Sequence, residues 1–114
     1  MNVADSSPWR ELTNVEGLPL LGGHGRVRLR LQGDQGILWE VFYPAGVRSP
    51  EHRHSHDSYI YLLSGLLTGT VDGEPARLEP GQTLLHPTAV PHTVEAVRDS
   101  TWLEFKAPPS AAWK

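Results

Sequence analysis

The sequence predicts an all-β domain made of many short strands, arranged as a sandwich or a closed barrel. Three observations carry this expectation. Eleven glycines and ten prolines punctuate 114 residues, which leaves few windows long enough for a helix. The two longest stretches free of both run from Glu51 to Ser64 and from His92 to Ala107. Neither reads as helix, and the second holds Thr93, Val94, Val97, Thr101, Trp102 and Phe105, an enrichment in β-branched and aromatic residues that favours strand. Finally, RVRLRL alternates strictly, with Val27, Leu29 and Leu31 facing one way and Arg26, Arg28 and Arg30 the other.

The remaining elements follow in order. After the turn QGDQG, ILWEVFY reads as a strand that ends at Pro44, Ala45 and Gly46. YIYLLSG, LLTGTVDG and PARLEPG continue the series, and Asp72-Gly73 is a two-residue hairpin signal. TLLHP and HTVEAV come next, then a polar turn at Arg98, Asp99 and Ser100, then WLEF. A chain of this length suits one domain with one core, here residues 1–114 with a barrel core of about 20–109. Residues 1–8 and 108–114 read as surface arms that could cross to a neighbour, and pairing into a homodimer is expected.

Composition removes several functions. The net charge is -3 with a pI near 6.0, and the ten Lys and Arg are scattered rather than gathered in a stripe. A nucleic-acid surface and an anionic-membrane surface are therefore not expected. No apolar run approaches the length of a bilayer span, so a cytoplasmic protein is the default. Without cysteine there is no disulfide and no thiolate ligand or nucleophile. Any metal must be held by nitrogen and oxygen.

Five of the six histidines fall in EHRHSHD and LLHPTAVPH. Alternate residues of an extended chain share a face, so His52, His54 and His56 can present imidazoles to one ion. His92, after the turn Pro87–Pro91, can supply a ligand from a second strand. Neutral imidazole suits iron, zinc, copper and nickel, and three such ligands leave positions open for water or substrate. HxHxH alone reads equally well as a polar surface loop, because Glu51, Arg53, Ser55 and Asp57 are interleaved with the histidines.

Both stretches resemble the motifs of the cupin superfamily. His52, Arg53 and His54 stand at the expected distance before Gly65, and PGQTLLHPTAVPH matches the second motif with Pro80, Gly81, Pro87, Pro91 and His92 in place. The resemblance covers roughly Ile37 to Pro109. It implies a jelly-roll barrel and one divalent transition metal (Fe, Zn, Ni or Mn) on His52, His54 and His92, with His56 as the fallback ligand. The family's usual glutamate ligand falls at Ser58, a poor ligand for a divalent ion, so the expected shell is three histidines plus water. Asp57 points away by alternation.

Three-histidine cupins include dioxygenases of diketones and thiols. Other small cupins act on unsaturated uronates from pectin or alginate, and the tail LEFKAPP is similar to theirs in supplying Glu104, Pro108 and Pro109. By that resemblance Glu104 is a proton-transfer residue, provided its pKa is raised, and Lys106 shares its face at a position where the family tends to have an aromatic. The opposite parity, with Leu103 and Phe105 inward and Glu104 in a solvated stripe, stays open.

Ser58 and either Trp39 or Phe42 are expected to line a pocket for a small molecule. His86 reads as a hydrogen-bonded core or rim residue, His24 as an exposed loop residue, and Tyr59 and Tyr61 as outward-facing. The expected function is isomerisation or ketonisation of a small chelating or anionic substrate such as an unsaturated sugar acid. The alternatives are an iron dioxygenase of a diketone-like substrate and a non-catalytic sensing module.

Overall fold

The computed structural model describes residues 7–108, and among them there is no helix. The strands are β1 (Arg10–Leu12), β2 (Asn14–Val15), β3 (Leu18–Pro19), β4 (Gly25–Gln32), β5 (Ile37–Tyr43), β6 (Asp57–Val71), β7 (Glu74–Leu78), β8 (Thr83–His86) and β9 (His92–Ala107). Seven of them form one antiparallel sheet in the order β1-β4-β5-β9-β6-β7, with β8 on β6, while β2 and β3 make a separate hairpin. The terminal arms lie largely outside the described residues, as does Pro109.

Two long strands organise this sheet as a jelly roll. The first half of β6 lies between β8 and the end of β9, and its second half lies between β7 and the start of β9. YIYLLSG and LLTGTVDG, expected as separate strands, are thus one strand bent in the middle. HTVEAV and WLEF also run together, through the expected turn at Arg98–Ser100. The bend coincides with register shifts between Leu62 and Leu67. Gly65 sits there with φ 98, packed so tightly that a Cβ would collide with Ser100 Oγ and Asp99 O. Ser100 is fully buried; its Oγ accepts from Leu66 N at 3.0 Å and donates to Arg98 O at 2.7 Å. A paired corner replaces a loop because the serine satisfies the backbone groups that the bulge leaves without ladder partners.

Alternation elsewhere holds where the ladder is regular. Ser58, Ile60 and Leu62 face the interior, while Tyr59, Tyr61 and Leu63 are exposed. Leu31 departs from the expected face and is 55% exposed. The cause is a register shift in which Leu29 pairs Trp39 and Leu31 pairs Leu38; one extra residue in β4 reverses the parity beyond it. At Asp72-Gly73 the chain turns with φ 51 and 78 into β7, the hairpin geometry that the sequence signals.

The core joins Val27 of β4, Ile37, Trp39, Val41 and Tyr43 of β5, and Trp102 of β9. Tyr43 and Trp102 meet edge to face with ring centroids 4.8 Å apart. Val27, Trp39, Val41, Tyr43 and Trp102 of this core line the same cavity as His52, His54, His86 and His92.

Candidate metal centre

The EHRHSHD segment is not a regular strand, yet it keeps strand alternation: His52, His54 and His56 are buried, and Arg53 and Ser55 are exposed. It is held in place by exchange with the β9 entry. His52 N donates to His92 O at 3.1 Å, and His92 N donates to His52 O at 2.9 Å. This isolated antiparallel pair sets the two imidazoles side by side, 4.2 Å between centroids. Ala89 N donates to His54 O at 2.8 Å, which ties the Pro-rich turn to the same segment.

One ligand nitrogen from each of His52, His54 and His92 lies within 4.8 Å of the others. Their Nδ1 atoms already face acceptors: Pro50 O at 2.8 Å, Glu16 Oε1 at 2.7 Å and Val90 O at 3.2 Å, respectively. Oxygens of that kind accept only, so each Nδ1 carries the proton and each Nε2 keeps its lone pair. His92 Nε2 is buried without a hydrogen-bond partner. Desolvation keeps all three rings neutral, lowering His52 and His54 and pushing His92 down to about 3. Three neutral imidazoles with inward lone pairs fit a divalent transition metal.

Ser58 faces inward and is fully buried, but its hydroxyl is engaged: Lys106 Nζ donates to it at 3.1 Å. The same ammonium donates to His56 Nε2 at 2.9 Å and pairs with Glu104 Oε2 at 2.7 Å. Burial, Lys106 and His54 push His56 down to about 3. His56 also belongs with Glu16 and His54 to a second cluster whose candidate ligand atoms lie within 4.8 Å. Asp57 turns outward, accepting from Thr88 N and Oγ1 at 2.7 and 2.8 Å.

Glu104 and Lys106 line the cavity with Trp102, while Phe105 is exposed. Of the two parities open in the sequence, the inward one for Glu104 is therefore the observed one. Its carboxyl does not have the raised pKa expected of it. Burial by itself would raise it, but Lys106 and the Trp102 indole N–H, which donates at 2.9 Å, outweigh burial and hold it well below the usual range.

The cavity has a volume of about 460 Å³ and reaches from the histidines to the N-terminal strands. Trp39 lines it, with the Arg10 guanidinium 5.4 Å from the ring centroid. Phe42, the other candidate, lies outside it: three residues from Trp39 it takes the opposite face of β5, beneath Arg26. His86 is buried and stacks on His92 at 3.8 Å, and its Nε2 has no hydrogen-bond partner. Its burial agrees with the core or rim placement expected of it, while that ring nitrogen lacks the expected hydrogen bond. His24 is exposed, beside Glu11.

The sequence reading missed the N-terminal contribution. Arg10 through Glu16 form one wall of the cavity, and Glu16 reaches His54. The one local signal was Glu16-Gly17, an ordinary turn pair with nothing to say what it faces.

A family model described as Cupin domain matches residues 38–105. A curated relative, dimethylsulfoniopropionate lyase DddQ from Ruegeria pomeroyi, is 36% identical over 60 residues, or 52% of this chain and 30% of that protein. The match thus spans less than a third of the relative's length. Among solved structures, KdgF from Halomonas sp. gives a TM-score of 0.75 at 22% identity, covering 79% of this chain and 84% of that one. An RmlC-like cupin from Shewanella frigidimarina gives 0.76 at 18% identity, covering 82% and 85%. The SPY1581 protein of unknown function from Streptococcus pyogenes gives 0.68 at 28% identity, covering 76% of each chain.

Proposed function

The chain belongs to the cupin domain family, and we propose that it is a metal-dependent enzyme that moves a proton on a small, anionic, chelating substrate such as an unsaturated sugar acid. One observation carries the reading. At Ser58, where the family motif places a carboxylate ligand, this chain has a hydroxyl bonded to the Lys106 ammonium. The Lys106 ammonium, paired with Glu104 until a substrate arrives, puts a donor for an oxyanion where the motif has an anion, and Arg10 stands with Glu11 and Glu16 on the N-terminal wall.

A divalent ion on His52, His54 and His92 supplies Lewis acidity toward a carbonyl or hydroxyl oxygen when bound. The protein's own groups do the rest. Lys106 holds the substrate's anionic oxygen. Glu104, ionised by its contacts with Lys106 and Trp102, accepts the proton. As the ammonium turns to the substrate, Glu104 loses its nearest positive charge and its affinity for a proton rises. Trp39 forms an apolar wall. Lyase chemistry by proton abstraction fits the same groups, and the curated relative's name records a lyase activity for that protein.

The test is turnover under nitrogen of a panel of unsaturated uronates, by protein loaded in turn with zinc, nickel, manganese or iron. Turnover that survives without oxygen and disappears in Glu104→Gln supports the reading. A strict need for iron and oxygen makes the protein a dioxygenase instead, and tight binding without turnover makes it a sensing module. We place the working form in the cytoplasm as a homodimer, joined through the uncharged row Phe105, Tyr59 and Leu85 that crosses three adjacent strands on the outer face. A second copy presents the same flat apolar row, and sedimentation of the full chain at micromolar concentration decides between dimer and monomer.

A further inference from the structure

The three candidate ligands differ in how their Nδ1 atoms are held. His52 and His92 each use the backbone carbonyl two residues earlier, Pro50 O and Val90 O. For His54 the equivalent carbonyl belongs to His52, and it already accepts from His92 N at 2.9 Å. Its partner comes from far along the chain: Glu16 Oε1, at 2.7 Å.

Glu16 occupies the turn between β2 and β3, with φ 50, and Gly17 follows at φ 77. Both lie in the left-handed region, the pairing of a tight two-residue hairpin. Glutamate has no preference for that region, where asparagine, aspartate and glycine are favoured. The turn aims the carboxylate inward. His54 is 8% exposed and the Glu16 side chain 41%, so the contact forms at the rim of the cavity.

We propose that Glu16 is a positioning residue for the metal centre: it fixes the Nδ1–H tautomer of His54, turns Nε2 toward the ion, and so makes metal affinity depend on the N-terminal hairpin. The proposal rests on the metal reading given above. It follows from hydrogen-bond chemistry, since a carboxylate opposite Nδ1 accepts from N–H and repels a lone pair. A charged acceptor also makes the opposite nitrogen a better donor to a cation than a carbonyl does. Among the described residues, His54 is the one member of the triad with this support.

Two substitutions separate the carboxylate from the turn. Glu16→Asn keeps a residue suited to positive φ but is too short to reach His54. Glu16→Gln keeps the reach and an acceptor oxygen without the charge. Zinc affinity of the full chain is measured by chelator competition for wild type, both variants and His52→Ala, and the His54 tautomer by long-range ¹H–¹⁵N correlation in metal-free protein. Glu16→Asn is expected to weaken zinc binding about 10- to 100-fold and to mix the His54 tautomers, with Glu16→Gln closer to wild type. Affinity within twofold of wild type in Glu16→Asn, or a tautomer that does not change, overturns the proposal. Wild-type protein that binds zinc no better than His52→Ala overturns the metal reading instead, and the tautomer comparison still decides whether Glu16 governs His54.

Discussion

Lys106 and Glu104 form an ion pair of 2.7 Å on the cavity wall, each side chain only 13% exposed. They are two residues apart on β9 and so share a face. The pair sits beside the candidate metal ligands and makes both ends of the proposed chemistry available: a cation for the substrate's oxyanion and a carboxylate for its proton.

Breaking the pair from one side is expected to be costly. Lys106→Met leaves the Glu104 carboxylate in a desolvated place with the Trp102 N–H as its remaining partner, a loss of about 3 kcal/mol at neutral pH. Lys106→Met with Glu104→Gln removes both charges and should recover most of that loss. Urea unfolding of metal-free protein checks both, and a single variant as stable as wild type would show that the pair is well solvated. In turnover assays Lys106→Met should also move the acid limb of the pH profile upward, because Glu104 loses the charge that holds its carboxyl down.

Metal content separates ligands from bystanders. Wild-type protein should carry one ion per chain. His92→Ala should lose it, because His92 Nε2 is one of three donors and neither neighbouring ring, His86 nor His56, is grouped with His52. His86→Phe keeps a flat ring against His92 and should retain the ion, since His86 is stacked on a candidate ligand but is not grouped with the three. Elemental analysis after dialysis reads both. A stoichiometric ion in His92→Ala would remove the site proposed here.

The corner at Gly65 predicts a large effect from a single methyl group. Gly65→Ala must accommodate φ 98 and a collision with Ser100 Oγ and the Asp99 carbonyl. Strain and overpacking together should cost about 3 kcal/mol, seen as a lower thermal midpoint. Ser100→Ala removes the hydroxyl that serves the bulged backbone and should cost about 1–3 kcal/mol on its own. If both variants melt with wild type, the corner is more pliant than its packing indicates.

Gly65 also shows what could be read from sequence and what could not. Strand identity was legible where runs of β-branched, aromatic and aliphatic residues are bounded by turn residues, as in β5 and the first half of β6. The ligands His52, His54 and His92 were legible because spacing and turn residues both belong to a known motif. Continuity of β6 and β9 through the corner was not, since a buried serine serving backbone groups looks, in sequence, like a polar turn residue. The same holds for Leu31, displaced by a bulge that no local residue announces. Glu16 and Arg10 were illegible for a different reason: β1 pairs β4 and the β2–β3 hairpin folds over the cavity, and such long-range placement leaves no mark on local periodicity. Phe42 could be separated from Trp39 only by knowing which face of β5 meets the core.

Acid should destabilise the metal-free protein well above the carboxylate range. Burial pushes His92 and His56 down to about 3 and His86 to about 4, from an ordinary value of 6.5, and His52 and His54 are lowered as well. Below pH 6.5 the unfolded chain takes up protons that the folded chain refuses, so stability falls as pH falls and is regained as pH rises. Each ring contributes a slope of up to about 1.4 kcal/mol per pH unit between its folded and unfolded values. Glu40 behaves separately: burial would raise it, but Arg28 and Arg30, at 2.9 and 2.7 Å, hold it low, so its contribution is lost only below about pH 4.5. Urea midpoints between pH 7 and 5 therefore isolate the histidines. His86→Phe should flatten that part of the profile, and a wild-type midpoint that does not move across it would mean that the rings protonate in the fold as freely as in the unfolded chain.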